Sequence, residues 1–134
     1  MWPRDAVCDP AEIGRIDSEL AKAPAGVSVA VGVIDLNHGR IRLFTFDETD
    51  AFSRANPALQ VMAGHEAAAA MAAVPLVQAR GFALGKQAGV WHLNNVSHLN
   101  QADGQSNTMQ MSAATFAAVE SALRAAGMTN LVSH

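Results

Sequence analysis

The sequence predicts an α+β fold: an antiparallel sheet of four to five strands with three helices, in the order helix–hairpin–helix–hairpin–helix. Three observations carry this expectation. Valines alternate with small residues over 27–34, and after Asn37-His38-Gly39 comes the apolar run Ile41-Arg42-Leu43-Phe44-Thr45-Phe46. A period of two on both sides of a glycine turn is the signature of a β-hairpin. Two later segments, one at 57–74 and one after Ser112, carry apolar residues at helical spacing behind residues that cap helices well. Between them lies a second pair of strand-like runs, 81–86 and 89–93, each opened by glycine. Such a sheet buries its apolar side by packing against helices, on one face or on both.

Residues 1–8 read as a tail or linker, and 9–134 as a single domain long enough to build a core. Asp9 and Pro10 mark the start of helix one, with Glu12 placed to complete a capping box. Ile13, Ile16 and Leu20 share one face, and Pro24 and Gly26 follow its end near Lys22. In the first hairpin Val29, Val31, Val33, Ile41 and Leu43 are expected to be buried, and Gly39 to supply the positive φ of the turn. Arg40 and Arg42 share a strand face with Phe44 and Phe46 and are expected to be solvent-facing charge. Asp47, Glu48 and Asp50 read as an acidic exit loop. Helix two opens at Asn56-Pro57, is alanine-rich, and stops or kinks at Pro75. The second hairpin turns about Gln87-Ala88-Gly89. Helix three is capped by Ser112, buries Phe116, Val119 and Leu123, and ends at Gly127. Leu131-Val132 is expected as a short edge strand.

Composition narrows the functional classes. Charged residues make up 16% of the chain, against about 25% in ordinary domains. A net charge of −3 argues against non-specific nucleic-acid binding, which rests on a basic patch, but not against an enzyme acting on a nucleotide. The single Cys8 makes neither an internal disulfide nor a cysteine zinc site. No apolar run approaches the roughly 18 residues of a membrane span, and the first residues lack the apolar core of a signal peptide.

Polar chemistry is most concentrated in GVWHLNNVSHLN, residues 89–100. A strand that runs into Asn94, Asn95, Ser97 and His98 carries donors and acceptors into a loop, where sites are commonly built. His98 is the candidate general base, and Asn94, Asn95 and Ser97 are candidates to hold a substrate's polar edge. His65 and Glu66 on helix two are expected to complete the catalytic group by lying beside that loop. They are no metalloprotease motif, since position 69 is alanine rather than histidine. No ligand set for a metal and no cofactor motif is legible.

The hairpin followed by a helix opening AGHEAAAAM resembles the layout of nucleobase deaminases, without the cysteines that hold their zinc. Over 64–127 the chain resembles the toxin tips of bacterial polymorphic toxins. The resemblance rests on Gly64-His65, the glycine-bounded hairpin, Trp91 to Ser97 as WHLNNVS, and a helix ending Arg124-Ala125-Ala126-Gly127. In such tips a glycine commonly follows the Asn-Asn-x-Ser run; here His98 follows Ser97 directly. The resemblance implies an effector domain that acts on a nucleotide or nucleic-acid substrate. It also implies a cognate immunity protein as partner and secretion or delivery on a larger carrier chain. The competing expectation is a non-catalytic binding or self-association module, cytoplasmic and built on the alanine-rich helix.

Overall fold

The computed structural model describes residues 6–22, 29–59, 64–94, 97–98, 108–109 and 111–134. Its centre is a six-stranded sheet. In chain order the strands are β1 (Val7–Cys8), β2 (Val29–Asp35), β3 (Arg40–Thr45), β4 (Ala79–Gln87), β5 (Val90–Asn94) and β8 (Leu131–Ser133), and across the sheet they run β1-β3-β2-β4-β5-β8. A separate two-stranded ribbon pairs β6 (Ser97–His98) with β7 (Thr108–Met109). The described residues form four α-helices: α1 (Pro10–Ala21), α2 (Phe46–Ala55), α3 (Gly64–Met71) and α4 (Ala113–Ala125).

The predicted antiparallel sheet of four to five strands with three helices is therefore corrected to a six-stranded mixed sheet with four helices. Pairings β2–β3, β2–β4 and β4–β5 are antiparallel, whereas the outermost strands β1 and β8 pair parallel with β3 and β5. These edges are two and three residues long, too short to show a period. Val7 and Cys8, expected in a tail, are one of them. The extra helix is α2. Its segment was expected as an acidic loop, but the Thr45 hydroxyl accepts from the Glu48 amide while the Glu48 carboxylate accepts from the Thr45 amide. That reciprocal cap starts a helix whose acidic first turn suits the positive end of its dipole. Helix two does not run through 57–74. Pro57–Leu59 is a single 3-10 turn, and α3 begins at Gly64 and gives way to Ala73 at φ 57°.

Helices cover both faces. On one, Ile13, Ile16 and Leu20 of α1 and Val119, Ala122 and Leu123 of α4 pack on Ala30, Ile34, Ile41, Leu43, Phe82, Leu84, Trp91 and Leu93. On the other, Ala68 and Ala69 of α3 pack on Val31, Val33, Phe44 and Ala79. Val31, Val33, Ile41 and Leu43 are buried as expected, but Val29, which opens β2, is 45% exposed. Two glycines set the closeness of packing. A Cβ on Gly32 would sit 2.1 Å from the Phe82 ring, and one on Gly81 would sit 2.6 Å from His65 Cγ. Without those side chains, Phe82 lies flat on β2 and α3 lies flat on β4.

The second hairpin closes with Ala88 at φ 52° and Gly89 at φ 79°, the left-handed pair that matches strand twist. At the end of α4 the Gly127 amide donates to Arg124 and the Met128 amide to Leu123. This is a Schellman ending with Gly127 in the left-handed position.

Where β1 stops, the edge of β3 is completed by side chains. Glu12 does not close the expected capping box; it accepts from the Leu43 amide at 3.1 Å and from Arg42 Nε at 2.9 Å. Arg15 donates to the Leu43 carbonyl and binds Glu48 Oε1 at 2.8 Å. One helix turn thus stands in for a missing strand residue and blunts an edge that would otherwise invite pairing. Glu12→Ala is expected to lower stability by about 2 kcal/mol, because it strands a backbone amide and a half-buried guanidinium; a urea midpoint within error of wild type would contradict the assignment.

Cys8 is buried beside this edge. Burial first, then the Glu12 and Asp9 carboxylates, push its thiol up to about 12 from an ordinary 9.0. The folded protein then holds about a thousandfold less thiolate at a given pH. Iodoacetamide is expected to leave the native protein unmodified near neutral pH and to add one label in denaturant, as read by intact mass.

Candidate functional site

The first hairpin builds an open cleft at its turn. Asp35 ends β2, Arg40 begins β3, and the two face each other across the ladder. One Asp35 oxygen, Oδ1, accepts from the Asn37 amide at 2.9 Å, and the Asp35 carbonyl accepts from the Gly39 amide at 2.7 Å. Gly39 at φ 64° completes the reversal. The turn thereby brings His38 back over Asp35, and His38 Nδ1 lies 2.7 Å from Asp35 Oδ2. Asn37 donates to Gln78 Oε1 at 2.6 Å and ties the loop to the approach to β4.

The cleft has a volume of about 540 Å³ and is lined by Asp35, His38, Arg40, Arg42, Ala72 and Val74. Ala72 and Val74, from the turn that ends α3, make its apolar wall. Arg42 is held through Nε by Glu12 and lies over the Phe44 ring, 5.8 Å from its centroid. Among the described residues Arg40 lines the cleft, stands across the ladder from Asp35 and forms no ion pair within 4 Å. Arg40 and Arg42 also line a second groove of about 440 Å³, formed with Val7, Cys8, Asp9, Pro10, Glu12 and Ile41.

Burial opposes ionisation of Asp35, but the hydrogen bonds from His38 and the Asn37 amide and the charge of His38 outweigh it, and the carboxyl is held below its usual 3.8. Its bonds therefore steady the turn above the ordinary carboxylate range, and that contribution is lost as pH falls through the lowered value. In the neutral ring a carboxylate on Nδ1 keeps the proton there and turns the Nε2 lone pair outward, the arrangement of an oriented general base.

The residues singled out in the sequence lie elsewhere. His65 and Glu66 open α3, are 7% and 5% exposed, and are engaged within the fold. The His65 ring rests against Gly81 of β4. Asn94 ends β5 opposite Ala83, two residues along β4 from Gly81, so it shares the sheet face that carries α3. Ser97 and His98 form β6, which runs beside β4. Asn95 lies outside the described residues, as do the side chains of Ser97 and His98. A substrate reaching His65 or Glu66 has to displace the helix that buries them, whereas the Asp35–His38 cleft is open to solvent.

In the sequence Asn37-His38-Gly39 is fully explained as a turn, which hides the cleft beside it. The usable signal was the series Asp35, His38, Arg40, Arg42: a carboxylate three residues before a histidine, then two arginines on one strand face. Among the described residues no group of three or more His, Cys, Asp or Glu side chains is placed to hold a metal ion, and no helix is long and apolar enough to cross a membrane. Comparison with protein-family models, with characterised proteins and with solved structures finds no match to this chain.

Proposed function

We propose that the chain is a toxin-like effector domain acting on a phosphate-bearing substrate, a nucleotide or nucleic acid, in the Asp35–His38–Arg40–Arg42 cleft. One observation carries the proposal: a histidine oriented by a carboxylate at 2.7 Å stands in an open cleft that two arginines also line. Guanidinium groups match phosphate oxygens in charge and geometry. In this reading His38 Nε2 takes the proton of an attacking water or hydroxyl as the new P–O bond forms. The ester P–O bond breaks, and the departing oxygen receives a proton from the imidazolium. Arg40 and Arg42 hold the charge that builds on the phosphoryl oxygens. A cognate immunity protein that covers the cleft and delivery on a larger carrier chain belong to the same proposal. In this reading the roles expected of His65 and Glu66 pass to His38, because a buried helix start offers no access for a substrate.

Induced expression in bacteria tests it. Wild type is expected to arrest growth, and His38→Ala and Arg40→Ala to relieve the arrest at equal protein levels. Equal growth of wild type and both variants removes the enzymatic reading.

The alternative, a binding module, has its own support. Val29, Gly85, His92 and Val132 form one line across the sheet on the face that carries α3. The two valines are 45% and 44% exposed, an apolar display of the kind that docks a partner.

A further inference from the structure

We propose that His92 and His134 form a surface chelating site for a divalent cation of the nickel, copper and zinc group. The two residues come from opposite ends of the C-terminal half and are brought together by the parallel pairing of β5 with β8. His92 stands opposite Val132, and the chain continues past Ser133 so that the His134 amide donates to the Leu93 carbonyl at 2.9 Å. This register puts both imidazoles on the same face of the sheet, His134 two residues beyond the Val132 that pairs with His92. His92 Nδ1 lies 2.8 Å from His134 Nε2, and the ring centroids are 5.1 Å apart with planes inclined by 23°.

Two imidazole nitrogens converging on one point are half of a metal's coordination shell. Imidazole is a preferred ligand of nickel, copper and zinc. A tetrahedral ion with metal–nitrogen bonds of about 2.0–2.1 Å holds two ligating nitrogens roughly 3.3 Å apart. The rings need to part by only about half an ångström, which side chains at a sheet margin accommodate by small χ rotations.

In the neutral pair one nitrogen donates its proton to the other's lone pair. The cation takes the place of that proton, and both lone pairs then point at the metal. The displaced proton moves to the outer nitrogen of the same ring, so no charge is stranded. With no third protein ligand among the described residues, water completes the shell and the affinity is that of a two-point chelate. The ion clips the edge strand β8 to β5, and since the unfolded chain cannot hold the rings together, binding raises the stability of the fold.

Titration of the tag-free protein with nickel chloride at neutral pH, followed by calorimetry, tests the proposal. A saturable site is expected in wild type and in His38→Ala. It is expected to be weakened at least about tenfold, the scale for losing a supporting group at a metal site, in His92→Ala and equally in His134→Ala. Added nickel is expected to raise the melting temperature of wild type but of neither of these two variants, whose circular dichroism confirms that they remain folded. Absence of a saturable site, or undiminished affinity in either variant, overturns it.

Discussion

Phe82→Ala is expected to lower the stability of the fold by about 3–5 kcal/mol, a large share of the ~5–15 kcal/mol that holds a domain of this size together. Phe82 is fully buried at the middle of β4, and its ring occupies the space that a side chain on Gly32 would need. Removing the ring leaves a void between β2, β4 and the helices α1 and α4, because the neighbouring backbone is fixed by ladders on both sides. The reciprocal change, Gly32→Ala, drives a methyl group to within 2.1 Å of the ring and is expected to cost about 3 kcal/mol. The two sites are one packing unit, so their effects will not add. Gly32→Ala combined with Phe82→Leu should be more stable than Gly32→Ala alone. Urea midpoints at unchanged slope for Gly32→Ala, Phe82→Leu and the double variant close the cycle, and strict additivity would show that glycine and ring do not meet.

His38→Ala is expected to reduce turnover of a phosphate-ester substrate by about 10²–10⁴-fold with the fold intact, the range for loss of a positioned general base. The side chain is 76% exposed, so its removal leaves the core untouched. Asp35→Asn keeps a side chain of the same shape but no longer fixes the ring's proton on Nδ1, and is expected to lose much of the same factor. Arg40→Ala should weaken substrate binding and make its dependence on salt shallower than in wild type, since one phosphate contact is gone. Steady-state rates on defined nucleotide and oligonucleotide substrates separate these effects. A His38→Ala protein as active as wild type would move the chemistry out of this cleft.

Local code and long-range packing divide this protein cleanly. The first hairpin, its Gly39 turn, the capped start of α1, the Ser112 cap and Gly127 ending of α4 were all legible, because each is set by residues within a few positions of one another. The Thr45–Glu48 cap of α2 is equally local, but the acidic residues around it give the same segment the look of a loop. The parallel edges β1 and β8 were not legible as such. A strand of two or three residues has no measurable period; an open sheet edge decides where it pairs, and the connection that leads the chain there decides its direction. The candidate site divides in the same way. That Asp35 and His38 share a turn is written in their spacing, but that Arg40, Arg42, Ala72 and Val74 close a cleft around them depends on where α3 ends after crossing the sheet. His65 and Glu66 show the converse: polar residues at a helix start read as a site in the sequence, and only the contact of α3 with Gly81 decides that they are buried. The sequence by itself determined the elements and their caps, through steric and hydrogen-bonding preferences that act over a turn or less. Tertiary structure alone decided the order of the strands, the two covered faces and which polar groups reach solvent, because burial is a property of the whole packed assembly.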